Sequence, residues 1–139
     1  MRPSSIGRAV TGAIAAVLLL AACASTLPLT QRQTARLKRY EAHAGAPIGQ
    51  FTRYSDYQRW TALSPDTLAY WTNVNRAYLI TVAEPCTNLL FANGIALTSH
   101  ANVVQTHFDF VDARGFHCMI ERIQPLDFHR ARRAPHGSR

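Results

Sequence analysis

Residues 67–82 read TLAYWTNVNRAYLITV. Two aromatic and β-branched runs, 67–72 and 76–83, flank Asn73 and Asn75, and the second stops at Glu84-Pro85. Side chains of a strand alternate between faces. Tyr78, Ile80 and Val82 therefore fall on one face, with Leu79 and Thr81 on the other. The pattern predicts two extended runs with turn signals at Asn73 and Asn75 between them.

The same grammar extends in both directions. Upstream, YQRWTAL (57–63) ends at the turn signal Ser64-Pro65-Asp66. Downstream, TNLLFA and IALTS flank Asn93-Gly94, a two-residue hairpin signal. Residues 87–92 admit a second reading, one helical turn after Cys86. QTHFDFVDARGFHCMIERI reads as a further hairpin turning over 112–115, and QPLDF ends the patterned region. About seven short runs with turn signals every 8–12 residues predict a mainly β domain, a small antiparallel barrel or sandwich. A helix at 87–92 would give it an OB-like strand order.

Before this region, Thr30 and Gln33 have capping-box spacing. The following QRQTARLKRYEAHA carries only a thin apolar stripe of Leu37, Tyr40 and Ala44, and Gly45 and Pro47 stop it. A short, mostly solvated helix or a frayed linker is expected.

The N-terminus is an address. Arg2 and Arg8 precede the apolar run 9–22, and no acid appears before Glu41. This is a secretory n-region and h-region, too short for a comfortable span of ~30 Å of hydrocarbon. Leu20-Ala21-Ala22-Cys23 has the form of a bacterial lipobox, in which the cysteine thiol is alkylated and becomes the new N-terminus. Ala22-Cys23-Ala24 also satisfies the ordinary A-x-A rule, with cleavage after Ala24; the cysteine, which that rule does not need, favours the lipobox. Several acyl chains, palmitate among them, at ~0.8 kcal/mol per buried CH₂ make such an anchor stable. Ala24 and Ser25, with no Asp beside the cysteine, suggest an outer-membrane anchor facing the periplasm.

The expected organisation is therefore a lipoprotein signal peptide over 1–22, a lipidated tether with a short helix over 23–49, a β-rich domain over 50–128 and a disordered basic tail over 129–139. The net charge of +7 is unevenly placed. Arg32, Arg36, Lys38 and Arg39 stand against Glu41, and the tail holds Arg130, Arg132, Arg133 and Arg139 against no acid. Between them, residues 45–128 hold five arginines and seven acids. Basic arms on an exported protein point to anionic lipid headgroups or an envelope protein as partners, and not to nucleic acid.

With Cys23 lipidated, Cys86 and Cys118 remain, and an even pair in an oxidising compartment reads as a disulfide. His117, His100 and His107 offer a metal or redox alternative. Their spacing fits no zinc pattern, so neither a metal site nor a cofactor is expected. Trp60, Tyr70, Trp71, Tyr78, Phe108, Phe110 and Phe116 read as core in preference to a ligand platform. Asp109, Asp112, Glu121 and Asp127 read as turn or solvated residues in preference to an acid–base pair. No nucleophile elbow, zincin motif or phosphate loop is present.

The run WTALSPDTLAYWTNVNRAYLITVAEPC (60–86), with FDFV (108–111) and FHCMIERIQPLD (116–127), resembles a family of small uncharacterised proteobacterial envelope proteins. The likeness covers about residues 50–128. It rests on Trp60, Leu68, Trp71, Asn75, Tyr78, Leu79, Cys86, Phe108, Asp109, Cys118, Ile120, Ile123, Pro125 and Asp127. The cysteine pair and the closing I-x-P-x-D are its most specific parts. The resemblance supports the disulfide and implies no activity, cofactor or catalytic residue. The expected role is a non-enzymatic binding or accessory module of the envelope. A hydrolase-like or metal-dependent periplasmic enzyme is the alternative, and a structural stabiliser of an envelope complex a third reading.

Overall fold

The computed structural model describes residues 29–54, 59–84, 86 and 88–128. The signal segment 1–22, the lipidation position Cys23 and the basic tail 129–139 lie outside the described residues. The chain divides between Arg32 and Gln33 into two units, and the β structure belongs to the second.

After helix α1 (Leu29–Glu41) come eight strands: β1 (Gln50–Thr52), β2 (Arg59–Ala62), β3 (Thr67–Asn73), β4 (Arg76–Val82), β5 (Ile95–Leu97), β6 (Val103–Gln105), β7 (Phe110–Ala113) and β8 (Phe116–Leu126). Six form one curled antiparallel sheet, a half-barrel, in the order β2-β3-β4-β8-β7-β5. β1 and β6 pair separately as a second, two-stranded sheet. The large sheet is open, with β2 and β5 as its edges. The mainly β expectation holds in this form.

Alternation along β3 and β4 builds two cores. Leu68, Tyr70, Tyr78, Ile80 and Val82 join Phe51 of β1, Val104 of β6 and residues of β7 and β8 on the inner face. Ala69, Trp71, Ala77 and Leu79 point to the outer face, where Leu63 and Leu126 complete a smaller core. Leu37, Tyr40 and Ala44, the thin stripe read from sequence, pack against that outer core. No residue of α1 is itself buried, and Lys38 and Arg39 in its last turn complement the helix dipole.

β8 is eleven residues long because both its sides are occupied. β7 and β4 pair with successive halves. Opposite β4, Gly45 N–H donates to Pro125 O and Ile48 N–H to Ile123 O, both at 2.8 Å. Pro125 opposes Tyr78 on β4, but its backbone faces the 43–48 segment. Its missing N–H therefore leaves the β4 ladder intact. A Cβ on Gly45 would lie 3.1 Å from Pro125 Cγ, which is why the chain crosses here at a glycine.

One open reading is decided and one expectation changes. Leu89–Phe91 is a single turn of 3-10 helix, the second of the two readings of 87–92. Asn93-Gly94 consequently turns no hairpin, and β5 pairs with β7 instead, Ile95 opposite Ala113. The physical reason lies on either side of the turn. Cys86 is bonded to Cys118, and Leu89 is 0 % exposed, so the segment is drawn down over the end of the inner core. The condition for an OB-like order is met only by this three-residue turn, and β4 and β8 pair antiparallel.

Candidate functional site

Cys86 and Cys118 form a disulfide with Cα atoms 5.8 Å apart, tying the segment after β4 to β8. Strand alternation sends the preceding residue, His117, to the opposite face. There it is 72 % exposed and contacts Asp112 across the β7–β8 ladder. His107 sits in a left-handed turn (φ 60°) and donates its backbone N–H to Ile120 O. His100 closes a separate turn with Val103. Chain topology thus keeps the three histidines apart. Among the described residues no group of three or more His, Cys, Asp or Glu is placed to hold a metal ion.

Of the four acids, Glu121 is exposed and Asp112 faces His117. Asp109 departs from the expectation of a turn or solvated residue, being only 3 % exposed. Its Oδ1 accepts from Thr98 Oγ1 at 2.8 Å and its Oδ2 from the Gln105 N–H at 2.7 Å. A buried carboxylate survives when its lone pairs are filled in this way. Asp109 thereby fastens the ends of β5 and β6 to the start of β7.

The aromatics divide by face. Trp60, opposite Tyr70, packs on the inner core, and Tyr70 and Tyr78 lie within it. Burial raises the pKa of both tyrosines, opposed by the Arg53 charge at Tyr70 and the Arg76 charge at Tyr78. Phe108 and Phe116, expected in the core, are exposed. Phe108 lies in the loop between β6 and β7, and Phe116 follows the hairpin tip, past the end of the packed rows.

Trp71 is the buried aromatic that lines a cleft. It lies at the end of β3, on the outer face, with Tyr40 of α1 edge-on at 6.2 Å and the Arg59 guanidinium 5.0 Å from its ring centroid. Beside it opens a cleft of about 210 Å³. The β3–β4 turn supplies Val74 and Asn75, and the end of β8 supplies Leu126, Asp127 and Phe128. Phe128 is held by Tyr40 at 5.6 Å and His43 at 5.3 Å. Val74 is 76 % exposed and Phe128 39 %, so the rim is apolar and open. Exposed apolar groups gathered around a concavity mark contact surfaces. Asn75 and Asp127 add polar groups at the rim that would orient an occupant.

A model of a protein family of unknown function, DUF6491, matches residues 7–139. The chain belongs to the DUF6491 family. No curated protein and no solved structure matches it.

In this DUF6491 domain the cleft was partly legible. Asn75 and Asp127, at its rim, and Trp71, at its wall, are among the residues on which the family likeness rested. Val74 and Phe128 were missed, because neither a turn valine nor a terminal phenylalanine carries a chemical signature. Their assembly depends on α1 lying across the outer face, which only the weak Leu37–Tyr40–Ala44 stripe announces. Among the described residues the DUF6491 domain places Asp112 with His117 and the two cysteines together. It does not bring the remaining acids and histidines named from sequence into one constellation.

Proposed function

We propose that this DUF6491 protein is a lipid-anchored module of the bacterial envelope that acts by contact, through the Trp71–Phe128 cleft. The observation that carries the reading is that open apolar rim, with Val74 and Phe128 standing in solvent beside a Trp71 wall. An apolar or aromatic side chain of an envelope protein is the occupant it suits, since burying one such group supplies ~1.5–3 kcal/mol. The anchor rests on sequence. Leu20-Ala21-Ala22-Cys23 has the lipobox form, and Ala24-Ser25 favours the outer membrane. The basic residues 32–39, close behind the lipid in sequence, add up to ~1 kcal/mol each on anionic headgroups, less with salt.

Two measurements test this. Labelling with an alkynyl fatty acid should tag the wild-type chain and not Cys23→Ala, and the tagged chain should fractionate with the outer membrane. An unmodified N-terminus at Ser25 by mass spectrometry would refute the anchor. For the cleft, a photo-crosslinking residue at Val74 should give a discrete adduct in intact envelopes, and one at exposed Glu121 should not. Equal labelling at both positions, or none at Val74, refutes the cleft as the contact surface.

A further inference from the structure

We propose that Arg53, reaching from the end of β1 to the edge strand β5, is the anchor of a binding site for a small oxyanion, a carboxylate or a phosphate group. The proposal names a ligand class for a second surface of the module and needs neither the lipid nor the Trp71 cleft.

The position of Arg53 follows from the topology. β1 inserts Phe51 into the inner core, stacked on Tyr78 at 4.3 Å and tilted against Tyr70 at 6.0 Å. Arg53 comes directly after β1 and reaches β5, where its Nη1 donates to Leu97 O at 3.2 Å. Its charge also acts on Tyr70 of β3, the strand next to β2. β5 and β2 are the two free edges of the curled sheet. Arg53 therefore links the end of β1 to the free edge strand β5.

The donors of Arg53 are unevenly used. A guanidinium offers five N–H groups in a fixed fork. Nη1 is spent on Leu97 O, while Nε is buried with no hydrogen-bond partner. Among the described residues no carboxylate pairs with Arg53; the His117–Asp112 contact is the ion pair found there. An unpartnered buried donor is destabilising, and more so on a charged group. Nε–H and the neighbouring Nη2–H are parallel, and together they present the side-on fork that two oxygens of a carboxylate or phosphate fill. An oxyanion arriving there removes the orphan donor and neutralises the charge in one step.

The surroundings suit such a ligand. Trp60, Tyr70 and Tyr78 form a cross-strand row on the inner face. Trp60, only partly buried opposite Tyr70, is the apolar wall the proposal assigns to whatever carries the oxyanion. Arg76, two residues before Tyr78 on the same face of β4, adds a second positive charge that lowers the Tyr78 pKa against the effect of burial.

The test uses the mature full-length chain in neutral detergent. The Arg53 Nε–H resonance is followed by NMR during titration with sodium phosphate, sodium benzoate and sodium chloride. A saturable shift with phosphate, benzoate or both, absent with chloride at equal ionic strength, is expected. Which of the two binds more tightly assigns the source: benzoate if the Trp60 wall contributes, phosphate if charge alone does. Arg53→Gln should weaken binding about tenfold or more, the loss of one charged fork, while Arg36→Gln on α1 should not. No shift with either anion, or a linear shift that chloride reproduces, overturns the site. The wild-type resonance decides the matter even if Arg53→Gln does not fold. A negative result here leaves the Val74 crosslink untouched, so the two readings fail separately.

Discussion

The Thr98 hydroxyl donates to Asp109 Oδ1 at 2.8 Å and at the same time accepts from the Phe110 N–H at 2.8 Å. With Gln105 N–H on the other carboxylate oxygen, this relay closes where the small β1–β6 sheet meets the large one. Asp109→Asn keeps the shape and replaces an acceptor with a donor, which then faces either the Gln105 N–H or the Thr98 hydroxyl. A stability loss of about 1–3 kcal/mol is expected, and more for Asp109→Ala, because buried groups are left unpaired. Urea unfolding checks it; a midpoint unchanged in both variants would remove Asp109 from the framework.

The Cys86–Cys118 bridge spans 32 residues. In the chain-entropy account a loop of that size contributes about 3–4 kcal/mol, a large share of the stability of so small a domain. The double variant Cys86→Ala, Cys118→Ala should unfold at markedly lower urea concentration than the oxidised wild type, and the reduced wild type should behave like the variant. Identical midpoints for oxidised and reduced protein would show that the bridge does not hold the fold.

Much of the fold was legible, and for a common reason. β3 and β4 could be read because both their faces are buried, so alternation and hydrophobicity agree at Tyr70, Tyr78 and Ile80. The turn at 112–115 could be read because Arg114 and Gly115 must take positive φ. Three features were less legible. Residues 87–92 admitted both a strand and a helical turn, and the disulfide and the buried Leu89 decide for the turn. Pro125 looks like a break in the strand until its backbone, which has no N–H to offer, is seen to face the 43–48 segment and not β4. Asp109 looks solvated because nothing in the sequence puts Thr98 beside it. Each depends on contacts distant in the chain, which local pattern does not carry.

The two turn-signal glycines should part company on substitution. Arg114 and Gly115 have φ of 51° and 82°, the paired left-handed geometry of a type I′ hairpin. A Cβ at Gly115 meets nothing within 4 Å, so the cost of Gly115→Ala is backbone conformation alone, about 1–2 kcal/mol. Gly94 also has open space and does not lie at positive φ. Gly94→Ala should therefore be neutral or stabilising, by up to ~1 kcal/mol, through loss of unfolded-state freedom. Thermal melts of both variants give the comparison. Equal destabilisation would mean that Asn93-Gly94 turns a hairpin after all.

The buried phenols set the alkaline limit. Desolvation raises the pKa of Tyr70 and of Tyr78 in the folded state, and the charges of Arg53 and Arg76 offset it only in part. The unfolded phenol titrates near 10. The folded state thus holds its two protons more tightly than the unfolded state does. Stability from this source is complete below about pH 10 and is lost as pH rises through the folded values, because ionisation favours the unfolded chain. Tyr70→Phe and Tyr78→Phe each remove one titrating group and leave the ring in place against Phe51. The wild type should lose stability as pH rises above about 10, each single variant less steeply and the double variant least. Urea midpoints measured across that range supply the test. Parallel pH profiles for the wild type and the double variant would exclude the two tyrosines as the source.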